Sequence, residues 1–514
     1  MKRLVIGATG LLTATGIVVL AGYLLVFSAS ADRAARAVPA GAVAYLNVYL
    51  EPSTGQRMNL YGLIGRLPGF ADPATLEQKI HDVAQRLIGQ MGIDYAADLR
   101  GWLGDQVALA ITRGDALADG PHVLLLVAVE GPGAPAALDR IMTRDGAEFD
   151  VETYRGVTVN VSGAASYALL DDLLLVADSA TAVRSAIDAE TGAAPSLADS
   201  AEFAAALRGV PADHLGSVYL DLRALVAAGE VGPVGGYTTV AGALVAEAAG
   251  IRLVGDAPFA GASPGTRAAF ELGSEASSLA DWMPAGARAE MILFGLQQTI
   301  AALEEQITDS PAMQDAADAL NQLRALAAIG LGINVDRDLL SLFDREVGIV
   351  VNGEDGQATV QLLLRPRDMA AASNSLDRMR DALEQRGSRI TRSVAEGAEV
   401  TTIGVPEIGQ VAYALSGEVI VLAFEPDAVA AILEAHANGE TLSRIDAYRD
   451  AFAVIGSHLG HEVWVDVAGS IEAAGEMLQI DDETRGILLR IGAFALSAPA
   501  RDNHLEINAI LTVK

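Results

Sequence analysis

The chain repeats itself over long stretches, and a repeat constrains architecture more than any single motif. GIDYAADLRGWLGDQVALAI begins at Gly92 and GINVDRDLLSLFDREVGIVV at Gly332. VPAGAVAY from Val38 is echoed by MPAGARAE from Met283, and VYLDL from Val218 by VWVDV from Val463. YALLDDLLLVADSATAVRSAIDA from Tyr167 returns as YALSGEVIVLAFEPDAVAAILEA from Tyr413. In chain order the offsets are 245, 240, 246 and 245 residues. Such a steady register means two related halves of roughly 230 residues each, far longer than the repeat of about 20–50 residues that builds a solenoid. The small differences in offset belong in loops.

Each half mixes strand and helix patterns. Residues 42–50, 106–112 and 122–129 are Val-, Leu- and Ile-rich runs of strand length. Between the first two, Leu76, Ile80, Val83, Leu87 and Met91 share one helical face, with Asp72 as N-cap and Pro73 in the first turn. Ser310 and Pro311 repeat the device ahead of Met313, Leu320 and Leu323. Shorter helices are expected over 136–144 and 180–189, and strand–turn–strand pairs at 157–161 and 167–177. Each half closes on a predicted hairpin, IRLVGDAPFAGASPGTRAAFEL in the first and GAFALSAPARDNHLEINAILTV in the second. Short Gly/Asp/Pro turns imply antiparallel pairing, and no regular strand–helix–strand alternation supports a parallel sheet. The expected fold class is α+β: an N-terminal transmembrane helix, then two duplicated domains, each a mainly antiparallel sheet with packed helices. The expected boundaries are 1–31 for the membrane segment, 38–272 and 283–514 for the domains, and 273–282 for a linker.

The first residues read as a membrane segment. Lys2 and Arg3 precede an uncharged stretch over 4–27, and the next charge is Asp32. As a helix that stretch is about 36 Å long, enough for a bilayer core of about 30 Å. Ala29-Ser30-Ala31 matches a signal-peptidase site, but a signal core is usually only about 7–15 residues, which favours a retained single-pass anchor over cleavage after Ala31. The long acidic remainder is expected outside the cytoplasm, at the cell membrane, or secreted if cleavage occurs.

Charge and cysteine content remove several function classes. The net charge is -31, from 66 acids against 35 bases. That surface repels phosphate backbones, so nucleic acid is not an expected partner. With no cysteine there is no disulfide, thiolate nucleophile, iron–sulfur cluster or lipid-modified cysteine.

Candidate chemistry is sparse. GASPG (261–265) matches the G-x-S-x-G elbow with Ser263, but TRAAFEL after it reads as a strand and Pro264 removes a backbone N–H the oxyanion hole would use. HLGHE (458–462) sets His458 and His461 three residues apart, with Glu462 and Asp466 as the local supply of a further metal ligand. Gly460 and the following VWVDV place it instead at a loop–strand junction, where exposed histidines are the plainer reading. His214 stands at the corresponding HLGS of the first half. NGEDG (352–356) lacks the spacing of a calcium loop and reads as a turn. Gly92, Gly332, Asp98 and Asp338 read as turn, cap and core positions, and Asp221 and Asp466 as outward strand positions. No catalytic, cofactor-binding or metal-binding residue is assigned, and no cofactor is expected.

The run PAGAVAYLNVYL from Pro39, the LPGF at Leu67 and the Trp-Leu-Gly-Asp segment at Trp102–Asp105 resemble a bacterial family of membrane-anchored envelope proteins, catalogued as a domain of unknown function. In the second half that segment becomes Leu342-Phe343-Asp344-Arg345. The resemblance implies topology and class and brings no catalytic residues. The leading expectation is a non-enzymatic, membrane-tethered binding or structural component of the envelope, with an envelope protein as a possible partner. The alternative is a carrier of lipid or another apolar ligand between sheet and helices. A metal-dependent hydrolase centred on His458 and His461 is a lesser one.

Overall fold

The computed structural model describes residues 32–514 apart from 73–77, 80, 83–84, 86–93, 114–120, 132, 144–147, 164, 228–236, 260–261, 263, 310–317, 319–320, 323, 326, 355–356, 406–408, 457 and 475–480. The expected anchor over 1–31, most of the helix over 73–91, Ser263 and Gly92 lie outside the described residues. Among the described residues no helix is long and apolar enough to cross a membrane.

The chain divides into two compact units. The first comprises residues up to Val231 with Thr239–Asp256, the second Gly232–Thr238 with Ala257–Lys514. The division therefore falls ahead of the expected linker at 273–282. That segment is held on the second unit: Gly273 O accepts from Ala500 N–H at 3.2 Å, Glu275 O accepts from Gly460 N–H at 2.9 Å, and Leu279 is fully buried.

Among the described residues ten strands build the first unit, the last running just past Asp256: β1 Ala42–Tyr49, β2 Leu103–Arg113, β3 Pro121–Val129, β4 Asp150–Tyr154, β5 Val157–Val161, β6 Ser166–Leu170, β7 Leu173–Ala177, β8 Gly216–Asp221, β9 Thr239–Glu247 and β10 Gly250–Pro258. They pair antiparallel throughout in the order β10-β9-β8-β1-β2-β3-β7-β6-β5-β4. The second unit contains β11 Ala289–Phe294, β12 Glu346–Glu354, β13 Gln357–Arg365, β14 Ile390–Ala395, β15 Ala398–Val405, β16 Gly409–Ser416, β17 Val419–Ala423, β18 His461–Asp466, β19 Ile491–Ala498, the short β20 Ala500–Arg501 and β21 His504–Val513. Their antiparallel order, β21-β19-β18-β11-β12-β13-β17-β16-β15-β14, copies the first strand by strand.

The copy extends to register. Tyr45 faces Ala110 and Tyr219 across β2 and β8, while Glu290 faces Val350 and Trp464. These partners stand at the sequence offsets of 245, 240 and 245 residues. A one-residue slip would turn every side chain to the wrong face, so the match fixes which residues of the two units are equivalent.

Alternation along the strands divides the first sheet into two buried faces. On one, Ala108, Ala110, Leu124, Leu126 and Leu175 meet the helices α1 (Ala34–Ala37) and α4 (Ala180–Glu190). On the other, Val48, Val107, Val127 and Leu174 meet α3 (Ala134–Thr143) and Trp102, while Leu60 and Ile64 of α2 (Thr54–Ile64) cover Leu215 and Ala246 at the far end. Ser179 caps α4 by accepting the Ala182 N–H. Later helices are α5 (Pro264–Leu272), α6 (Met369–Glu384), α7 (Pro426–Asn438) and α8 (Asp446–Ile455). TRAAFEL thus belongs to α5 and is not the second strand of a hairpin. The first unit's closing hairpin is β9–β10, turning at residues 248–249.

The repeated opening stretches each form one turn of π-helix, Tyr95–Leu99 and Val335–Leu339. The N-caps are Asp94 and Asn334, and the buried Asp98 and Asp338 bond back to them, Asp98 accepting the Asp94 N–H and Asp338 the Asn334 N–H, each at 3.0 Å. Gly332 has φ +67, where a side chain would be strained. Asp338 is buried and bridged by Arg337 and Arg378, each at 2.7 Å. The Arg337 guanidinium, with help from Arg378 and the Asn334 N–H, holds its carboxyl well below the usual range despite burial. A depressed carboxyl contributes stability above its unfolded value of 3.8 and loses it as pH falls through its folded value. Asp338→Asn should therefore cost about 1–2 kcal/mol at pH 7, the low part of the charged hydrogen-bond range because both guanidiniums reach solvent. Urea unfolding of the two proteins should converge in strong acid.

Candidate functional site

Three glycines shape an apolar recess of the first unit. Along β8 the residues Gly216, Val218 and Leu220 share a face with Leu46 and Val48 of β1 and with Gly242 and Leu244 of β9. Gly242 is paired in turn with Gly255 of β10. A Cβ on Gly216 would stand 2.6 Å from Asn47 O, and one on Gly242 would stand 3.0 Å from Val254 O. The backbones approach closely because those side chains are missing. The result is a groove of about 320 Å³ walled by Leu46, Val48, Val218, Leu244, Ile251 and Leu253. That volume lies at the small end of the range of about 300–1,000 Å³ for ligand pockets.

The second unit does not repeat this relief. Gly216 pairs with Leu244 and Val218 with Gly242, whereas His461 pairs with Ala498 and Val463 with Leu496. His461 and Leu496 thus carry side chains where the first unit has hydrogens, and Ala509, paired with Leu496, stands for Gly255. The His461 ring is turned into its own sheet edge, with Nδ1 accepting the Phe294 N–H at 3.2 Å. Burial pushes its pKa down, in favour of the neutral ring.

His458 goes elsewhere. It stacks on Phe452 with centroids 4.3 Å apart, and its Nδ1 lies 3.7 Å from Glu462 Oε1. The two imidazoles have no common partner, and among the described residues no group of three or more His, Cys, Asp or Glu is placed to hold a metal ion. Asp221 and Asp466 are the last residues of β8 and β18 and have a second role beyond a strand position. Asp221 Oδ1 accepts the Ala224 N–H at 3.1 Å and Asp466 Oδ1 accepts the Gly469 N–H at 2.9 Å, so each ends a strand by capping the helix that follows. His214 Nδ1 lies 2.6 Å from Pro211 O, a local turn contact.

A second, polar cleft of about 600 Å³ lies at the strand ends of the first unit, lined by Thr112, Arg113, His122, Thr181, Ser185 and Asp221 among others. His122 Nδ1 is 3.0 Å from Asp178 Oδ1 and 3.2 Å from Ser179 Oγ. Carboxylate and hydroxyl meet the same ring nitrogen, whereas a nucleophilic triad needs them on opposite ones.

The entry of the described chain is tightly held. Asp32 Oδ1 accepts from Tyr45 Oη at 2.6 Å, Gln106 Nε2 at 2.8 Å and Ala35 N–H at 3.1 Å. Arg33 pairs with Asp105 at 2.6 Å and with Asp172. Burial pushes the Asp32 carboxyl up, against the three hydrogen bonds that lower it.

Sequence reasoning missed the groove and the pairing of two buried glutamates, Glu290 with Glu462, each 2% exposed; Glu462 was weighed only as a metal ligand. A local signal for the glutamates existed: EMILF and HEVWVD place them at inward positions of apolar strands. The groove had none, because its glycines come from three different strands.

Comparison with known proteins adds a family and little else. The family model described as "Protein of unknown function (DUF3352)" matches residues 4–508. No curated protein matches the chain. Among solved structures, crystal form IV of TP0453 is similar at 10% identity, covering 44% of this chain and 79% of that one with a TM-score of 0.24. Crystal forms I and III of TP0453 are each 11% identical with TM-scores of 0.25, covering 46% and 47% of this chain and 82% and 88% of theirs. Likenesses this low carry no argument about fold or function.

Proposed function

Since the match runs over nearly its whole length, the chain belongs to the family of proteins of unknown function DUF3352, and from that premise we propose that it is a non-enzymatic envelope protein whose first unit binds an apolar chain. In this reading residues 4–27 tether the protein to the cell membrane, the two units lie outside the cytoplasm as a tandem duplication, and nucleic acid is no partner. The observation that carries the binding role is the groove opened by Gly216 and Gly242, with side chains at the equivalent positions of the second unit. Its occupant is a single medium-length acyl chain, free or as the tail of a lipid.

Calorimetry with dodecanoic acid tests this. One equivalent should bind per chain with a negative heat-capacity change, and each removal of two methylenes should weaken binding about tenfold. Val218 faces the bare backbone of Gly242, so Val218→Phe places a ring in the groove and should weaken binding at least tenfold without lowering the melting temperature. No heat of binding, or equal binding by the variant, would leave the protein as a tether or scaffold whose recognition lies on its surface.

A further inference from the structure

The second unit buries two carboxyl groups that the first does not repeat. Glu290 of β11 faces Trp464 and Glu462 of β18 faces Ile292, so the glutamates are diagonal neighbours on one sheet face, about 7–8 Å apart at the backbone. Their counterparts in the first unit are Tyr45 and Ser217, both neutral. Both oxygens of Glu290 and the Trp464 Nε1 are buried without a hydrogen-bond partner. Glu462 Oε2 accepts from Tyr448 Oη at 3.3 Å, and its Oε1 lies 3.7 Å from His458 Nδ1. Aromatic rings complete the enclosure: Tyr448 sits 4.8 Å from Phe452 and 5.8 Å from Trp464 between centroids.

Among the described residues no cation neutralises this pair from inside. Arg288, two residues before Glu290 on the same face, is turned to Asp466 at 3.1 Å. Across the sheet the partners are Val350 and Ser497, both uncharged. From α8 comes Tyr448, whose hydroxyl is pushed far up by burial and by the nearby charges of Glu290, Glu462 and Asp281. Among the described residues His458, with about half its side chain exposed, joins the pair to solvent. Two carboxylates cannot both stay ionised so deep beside each other, and the cheapest ligand that relieves them is a proton.

We propose that Glu290 and Glu462 form a buried proton-binding site that holds one proton between them and exchanges it with solvent through His458. The proton passes from a water or buffer acid to the imidazole, from the imidazolium to Glu462, and so to the pair, leaving a neutral imidazole behind. Burial and the Glu462 charge both favour the protonated form of Glu290. A carboxyl raised on folding favours the folded state below its unfolded value of 4.5, and that contribution is lost as pH rises through the folded value. The second unit is thereby a reporter of external pH, loosening around α8 as the pair gives up its proton.

Infrared spectroscopy of the full chain tests the site directly. Wild type should keep a protonated-carboxyl C=O band at pH 7, and that band should vanish in Glu290→Gln and shift in Glu462→Gln. Melting of the second unit should fall from about pH 5 to about pH 8 in wild type and fall less steeply in Glu290→Gln, where the raised Glu346 carboxyl remains. His458→Ala should keep the band but slow its deuterium exchange, and unchanged exchange would remove His458 from the route. No such band in wild type, or a Glu290→Gln melt with the wild-type slope, overturns the proposal. So does a calcium or potassium shift of the wild-type melt at pH 8 that Glu290→Gln lacks, since the occupant would then be a metal ion.

Discussion

Trp464→Ala should lower the unfolding free energy of the second unit by about 3 kcal/mol and leave the first unit's transition where it is. Trp464 is 1% exposed, at the centre of β18, so truncation removes a whole indole from a packed sheet face. Such changes cost about 3–5 kcal/mol through lost transfer energy and the cavity left behind. Here the cavity adjoins the Glu290 and Glu462 carboxyls, so water enters it and solvates them, which keeps the loss near the lower figure. Trp464→Tyr should cost far less, because the first unit has Tyr219 at the equivalent position. Denaturant unfolding monitored in each unit separately checks both, since a single two-state transition is not expected of two compact units. Equal losses in both units would mean that they unfold as one.

Ala37→Asp should destabilise the first unit by about 3–5 kcal/mol, the cost of an uncompensated buried charge. Ala37 is fully buried in α1, among the core residues Val38, Val183 and Leu197. The neighbouring Arg36 makes the contrast, since it is exposed and only 3.7 Å from Glu190 at its closest. Arg36→Asp should cost less than about 1 kcal/mol, as surface ion pairs do. The pair of substitutions, one residue apart, measures whether α1 is core or decoration. Similar small effects from both would show that α1 detaches freely.

What the sequence made legible follows from the length scale of each feature. Strands such as β1, β3 and β5 were readable to within a residue or two because their apolar runs are local. The duplication was readable because register survives in whole blocks, and it then fixed equivalences that strand pairing repeats. The helix α5 was misread as a strand: nine residues with Pro and Gly at the start carry too few turns to show a period. Asp221 and Asp466 close their strands, but alternation alone cannot show that the last residue of a strand also caps the next helix. The linker was placed by composition, yet small polar residues such as Ser277 were there to bond Glu346 at 2.9 Å. The groove depends on Gly216, Gly242 and Gly255 becoming neighbours, a fact of pairing and not of local spelling.

The way the chain enters the first unit has a mechanical consequence. Asp32 is fastened to β1 through Tyr45 and to β2 through Gln106, and Arg33 to the β6–β7 turn through Asp172. There is no slack between this point and the sheet. Tension that reaches Asp32 meets no compliant spacer between that residue and the sheet. It would pass straight into the middle of the sheet as shear across its hydrogen bonds, so that pulling on the protein and straining its fold become the same act.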